Sequence, residues 1–263
     1  MIFGITRAAS VVLVFIGPLF SGMEAIADSP FTDDFSSYTH NTCLPDGTNF
    51  GPWTSAFSGF GCVKLQSNGT QNWLDERPQV STNSSDTHSS LVLGPAFSNL
   101  LTFSVNVNTT AQLRQNSPPN AWEVAWVIWH YADNDHFYYF IAKTDGWELG
   151  KKEPGAQRFL AMGDSPTFPL GNWYNIRIAT TARDTIMVYV NNQLMTTFTD
   201  TQNPYTSGRI GLYDEDAHVR FTNVDVTGDH LDLMGKCEQY SPTCKWESRM
   251  YNTNAESLTT PTR

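Results

Sequence analysis

Asn172-Trp173-Tyr174-Asn175-Ile176-Arg177-Ile178, Thr185-Ile186-Met187-Val188-Tyr189-Val190-Asn191-Asn192, Ser207-Gly208-Arg209-Ile210-Gly211-Leu212-Tyr213 and Val219-Arg220-Phe221-Thr222-Asn223-Val224-Asp225-Val226 follow one another within residues 172–227. Each piece alternates apolar with polar or amphipathic residues, the period of a half-buried strand. Tyr174, Ile176 and Ile178 are expected on one face, and Ile186, Val188 and Val190 on another. Asn191-Asn192 before Leu194 predicts a tight hairpin, because Asn tolerates the left-handed conformation that two-residue turns need.

Outward from this block the same period recurs. Leu101, Phe103, Val105 and Val107 alternate with Thr102, Ser104, Asn106 and Asn108, and Ser90–Leu93 reads as a separate short strand. Trp122–Tyr131 and Phe137–Lys143 are apolar on both faces and flank the turn residues 132–136, so they predict a central hairpin that is covered on both sides or forms a binding surface. Gly146–Lys152 and Arg158–Met162 follow as further strands, and Phe31–Phe35 as the opening one. Residues 36–61, 68–86 and 109–120 are rich in loop-forming residues and are expected to be mostly loop. After Val226 the pattern stops, so residues 228–263 predict a polar extension.

The order of these pieces resembles the C-terminal half of concanavalin A-like, laminin-G-like jelly rolls, including glucanase-like modules. The Trp-strand and the Gly208-Arg209-Ile210-Gly211 region also look similar to bacterial domains related to keto-disaccharide hydrolases. The resemblance implies an all-β fold, a two-sheet antiparallel jelly-roll sandwich spanning residues 28–227. It leaves function open, since this fold carries lectins, hydrolases, lyases and adhesion modules alike.

The chain has 263 residues. Arg7, the apolar run Val11–Phe20 and the small-x-small Ala25-Ile26-Ala27 predict a signal peptide over residues 1–27 and a secreted mature protein. No later stretch is long and apolar enough for a membrane helix. A net charge of −10 argues against nucleic acid or an anionic membrane surface as partner. Four cysteines fit an oxidising compartment, and among the three possible pairings the sequence-local one, Cys43–Cys62 with Cys237–Cys244, is favoured. Asn68, Asn83 and Asn108 begin Asn-x-Ser/Thr triplets.

Three constellations bear on function. Asp33 or Asp34 on the opening strand and Asp225 near the last are expected to meet, since first and last strands often pair in sandwiches, and hard oxygen ligands suit Ca²⁺. Similar domains often hold a structural Ca²⁺ there. Asp214-Glu215-Asp216 reads as an exposed turn. Trp129, His130, Tyr139, Glu148 and Lys151, with Arg177 and Tyr189, predict a carbohydrate-binding face, in which rings stack on sugar C–H faces and polar groups bind hydroxyls. The expectation is a lectin-like binding module for a polysaccharide or glycan. The alternative is a glycan-cleaving enzyme, a glycoside hydrolase or polysaccharide lyase, with Glu148, Glu123 and His130 as candidate catalytic groups and Glu148 with Glu123 or Asp135 as the acid pair. A third reading is an adhesion module without a sugar site. Neither the Glu-x-Asp-x-x-Glu motif of family 16 hydrolases nor the Arg-x-Glu-x-Arg and Gln-Ile-His patterns of alginate lyases occurs.

Overall fold

The computed structural model describes residues 30–38, 41–181 and 184–231. The expected signal peptide, Cys237 and Cys244 lie outside the described residues. In chain order the strands are β1 (Phe31–Asp33), β2 (Thr48–Phe50), β3 (Trp53–Phe57), β4 (Cys62–Ser67), β5 (Asn72–Arg77), β6 (Ser89–Gln112), β7 (Ala125–Asp133), β8 (His136–Lys143), β9 (Gly146–Glu153), β10 (Ala156–Gly163), β11 (Tyr174–Thr180), β12 (Thr185–Val190), β13 (Gln193–Thr199), β14 (Ser207–Glu215) and β15 (Ala217–Leu231). No helix occurs among the described residues.

The pairings are antiparallel and build the expected sandwich. One layer runs β10-β9-β8-β7-β14 and on to the first half of β6, with β3 and β2 beyond it. The other runs β13-β12-β11 to the second half of β6, then β15, whose far edge carries β5-β4 and β1. The long β6 therefore belongs to both layers.

Alternation explains the core. Phe103, Val105, Val107, Ile176, Ile178, Ile186, Val188 and Val190 are buried in one cluster between the layers, on the faces the sequence predicts. Asn191 and Asn192 have φ of 48° and 66°, the left-handed turn expected of them. Near the end of β15 the buried positions change parity, from Val219 and Phe221 to Val224 and Val226. A register shift between Thr222 and Asp225, with Asn223 at φ 51°, absorbs the change.

Several expectations are corrected. Residues 90–107 hold one continuous strand, not two, because Gly94 and Pro95 sit in a bulge opposite Ile210. A bulge is where a strand tolerates a residue without an N–H. Residues 68–86, expected as loop, contain β5. Its Trp73 and Leu74 are buried, but so are Asp75 and Glu76, and that polar interior masked the strand. Residues 36–61 contain β2 and β3, with Trp53 fully enclosed between Phe31 and Phe35 at ring distances of 5.9 and 5.4 Å. β15 runs to Leu231, so pairing passes the expected boundary at residue 227. Cys43 and Cys62 form the expected disulfide, which ties the segment before β2 to β4.

Candidate functional site

The outer face of the first layer carries a second core. Tyr213 pairs with Leu91 and Trp126, Trp126 with Ile141, Ile141 with Glu148 and Glu148 with Met162, so these side chains stand in one row on one face. The next row runs Leu93, Gly211, Ile128, Tyr139, Gly150 and Phe159. Two residues beyond Tyr213, period-2 alternation brings Glu215 to the same face.

Polar groups are set into this apolar floor. The Tyr139 hydroxyl donates to Glu148 Oε1 at 2.8 Å and accepts from Gln157 Nε2. The Tyr213 hydroxyl donates to Glu215 Oε1 at 2.9 Å. Lys143 Nζ stands 3.6 Å from Glu148 Oε2. Glu123, in the segment before β7, accepts from Arg114 Nε at 2.6 Å and from Asn120 Nδ2 at 2.7 Å. The Trp126 ring lies 4.6 Å from Tyr139 and 5.4 Å, edge-on, from Tyr213. Phe57, Trp122, Tyr131 and Leu170 pack against the cluster.

The electrostatics follow from enclosure. Glu123, Glu148 and Glu215 are 0%, 0% and 1% exposed. Burial pushes Glu215 up to about 8, with the nearby Asp216, Glu123 and Glu148 charges adding to it against the Tyr213 hydrogen bond. Burial also raises Glu123, although Arg114 and Asn120 work the other way. Tyr139 and Tyr213 are held well above the ordinary phenol range by burial and by the adjacent carboxylates. Among the described residues no donor reaches Glu123 Oε2 or Glu215 Oε2. Glu123 and Glu148, from two other segments, thus both lie within electrostatic reach of Glu215, and the raised pKa of Glu215 favours its protonated form.

The predicted site residues are distributed otherwise than expected. Glu148 and Glu123, the first acid pair named from the sequence, each lie within electrostatic reach of Glu215. Asp135 sits apart in the exposed β7–β8 turn. The expected exposed turn at Asp214-Glu215-Asp216 is corrected, since the three are 0%, 1% and 0% exposed. The residues expected to form one carbohydrate-binding face do not share a face. Trp129 belongs to the core between the layers, whereas Tyr139 and Glu148 lie on the opposite face, and all three are enclosed. Lys151 is also fully buried, bound to Asp200 Oδ2 at 2.9 Å and to the Gln202 and Asn203 carbonyls, so it fastens the 200–205 loop. His130 is 1% exposed and faces the Tyr205 and Ser98 carbonyls at 2.8 and 3.3 Å, and burial lowers its pKa. Arg177 and Tyr189 pair directly across β11 and β12 on the second layer, with the guanidinium 3.8 Å over the ring. Asn108 is 5% exposed, which closes that Asn-x-Thr position to modification.

Asp33, Asp34 and Asp225 line one recess, as expected from β1 pairing with β15. Ca²⁺ takes about six to eight oxygens. Asp33 already accepts from Phe35 N, Tyr38 Oη and Trp53 Nε1, and Asp34 Oδ1 accepts from Ser36 N. Among the described residues no group of three or more His, Cys, Asp or Glu is disposed to hold a metal.

The signal that would have found Glu215 is the alternation of β14 itself. Continued past Tyr213, it puts Asp214 inside with Leu212 and Glu215 outside with Tyr213.

No curated protein matches the chain in sequence. A solved structure described as a native glycosidic hydrolase is 13% identical, with a TM-score of 0.50 over 76% of this chain and 95% of that one, and shares its fold. A carbohydrate-binding module, CBM66, from Bacillus subtilis is 17% identical, with a TM-score of 0.48 over 68% of this chain and 98% of that one. Domain 4 of an extracellular arabinanase from Geobacillus stearothermophilus, in complex with arabinotriose, is 14% identical, with a TM-score of 0.47 over 70% and 85%. Residues 63–227, which run from β4 into β15 and include Glu123, Glu148 and Glu215, match the family described as the 3-keto-alpha-glucoside-1,2-lyase-like domain, and the chain belongs to that family.

Proposed function

We propose that this chain is a carbohydrate-active enzyme that cleaves a glucoside carrying a ketone at C3, and that the reaction takes place on the outer face of the first layer. The observation that supports this reading is that Glu123 and Glu148 lie within electrostatic reach of Glu215, whose pKa burial pushes up to about 8. Two carboxyls with separated protonation states are what acid–base cleavage of a sugar bond needs. A C3 ketone acidifies the C2 hydrogen. Glu148, held by Tyr139 and near Lys143, takes that proton. The electron pair left on C2 delocalises onto the C3 oxygen as an enolate. Its return forms the C1–C2 double bond as the C1–O bond breaks, and Glu215 gives its proton to the departing oxygen. The Tyr139 and Tyr213 hydroxyls are the donors nearest the two acids. Substrate entry requires Trp122 and Leu170 to move off the cluster. The Cys43–Cys62 disulfide supports work in an oxidising compartment, outside the cytoplasm.

A second reading is the binding module expected from the sequence, since acids that are 0–1% exposed in the resting chain need no catalytic role. Mass-spectrometric assay of a 3-keto-disaccharide and its unoxidised parent separates the two. The enzyme reading expects the keto sugar alone to be cleaved, and expects Glu215→Gln to slow this by about a hundredfold or more while the fold is retained. Binding of the keto sugar without cleavage, or full activity in Glu215→Gln, would sink it.

A further inference from the structure

On the outer face of the second layer, well apart in the fold from the three glutamates, lies an open recess of about 650 Å³. Its walls come from four places. Asp34 and Tyr38 follow β1, Asn106 stands on β6, Asn175 on β11, and Asn223 and Asp225 on the bulged part of β15. We propose that this recess is a second binding site, for a neutral polyhydroxylated ligand such as an oligosaccharide.

The lining selects the chemistry. Of its residues only Val224 is an aliphatic hydrocarbon, which removes the driving force for an apolar ligand. Three aspartates and no Lys, Arg or His line it, so phosphate, sulfate and uronate are repelled. Asp33 is already engaged by three protein donors. What remains suits hydroxyl groups, each of which donates and accepts. Carboxylates accept from them, and each side-chain amide offers both an acceptor and donors.

The walls are also held in place before any ligand arrives. Asn175 Nδ2 donates to Asn106 Oδ1 at 2.9 Å, and the Asn191 side chain accepts from Asn175 N at 2.9 Å. Asp33 is fixed by Tyr38 and by Trp53 Nε1 at 2.8 Å. The β15 bulge, with Asn223 at φ 51°, presents Asn223 and Asp225 as exposed residues at the rim. Rigid polar groups lose little entropy on binding.

The test is NMR titration of the ¹⁵N-labelled chain with maltotriose, cellotriose, laminaritriose and arabinotriose, none of which carries a C3 ketone. At least one is expected to shift the Asn106 and Asn175 side-chain amide signals. Asn223→Gly, which keeps the left-handed backbone accessible, and Asp225→Ala should each weaken that binding about tenfold or more. Glu215→Gln should leave it unchanged, which separates this site from the proposed reaction site. No shift at 10 mM of any of the four sugars would overturn the proposal. So would binding that ignores both rim variants or disappears in Glu215→Gln.

Discussion

Gly150 has no side chain because the Tyr139 ring occupies the place where one would be. A methyl group there would overlap the ring and its hydroxyl. Gly150→Ala is therefore expected to destabilise the chain by about 1–3 kcal/mol, the usual cost of overpacking. It should also displace Tyr139 from Glu148, a change visible in near-ultraviolet circular dichroism. Glu215 gives the pH dependence at this scale. Its folded pKa is raised to about 8, above the ordinary value of 4.5. The folded state therefore holds the proton more tightly, and this contribution to stability is full below pH about 4.5 and gone above about 8. Glu215→Gln should accordingly flatten the fall of the melting temperature between pH 5 and 8. Neither residue's role was legible. A glycine is silent about which ring crosses it, and an acidic triplet signals exposure because charged residues are almost never buried unless paired.

Arg114 joins three elements. Its Nε reaches Glu123 Oε1, and its Nη2 reaches Asp216 Oδ2, both at 2.6 Å, with all three side chains at most 2% exposed. It also donates to the Asn83 carbonyl at 2.6 Å. The segment leading from β6 to β7 is thereby locked to the β14–β15 turn. Removing the guanidinium strands two buried carboxylates, so Arg114→Met is expected to cost about 3–5 kcal/mol in urea denaturation. The amides of residues 113–124 should exchange faster. An unchanged midpoint would show the fork to be dispensable. The paired strands around it were legible in proportion to how well they keep the apolar–polar period. β11 and β12 keep it and were found. β5 breaks it with Asp75 and Glu76 facing inward and was missed, and β6 interrupts it with Gly94-Pro95 and was split.

Across the whole molecule, Glu76 is the residue that most opposes the sandwich. It pairs with Val63 and Val219, both core residues, which places it on the inner face of the second layer. Asp214 lies on the inner face of the first, in step with Leu212. Burial holds both well above the carboxylate range, with the Asp214 and Asp75 charges adding to it at Glu76 and the Asp216 and Glu215 charges at Asp214. Among the described residues no donor reaches either Glu76 oxygen. Both folded pKa values are raised, so stability falls as pH rises through them. Glu76→Gln should make the chain more stable than the wild type at pH 8–9 and close to it at pH 4, as read by thermal melts. A constant difference at all pH values would contradict a protonated Glu76.

The sandwich was implied by the resemblance of the strand order to known jelly rolls, whereas the sequence by itself determined the alternating strands and the Asn191-Asn192 hairpin and favoured the Cys43–Cys62 pairing. These last three rest on local period, turn chemistry and short separation. Only the tertiary structure decided that Glu148 and Glu215 share a face with Glu123 in electrostatic reach, while Trp129, Lys151 and Arg177 lie elsewhere. Period-2 alternation assigns a residue to one side of its own strand. Which side of one strand faces which side of another depends on register, bulges and layer crossing between segments far apart in the chain, and no local pattern records those.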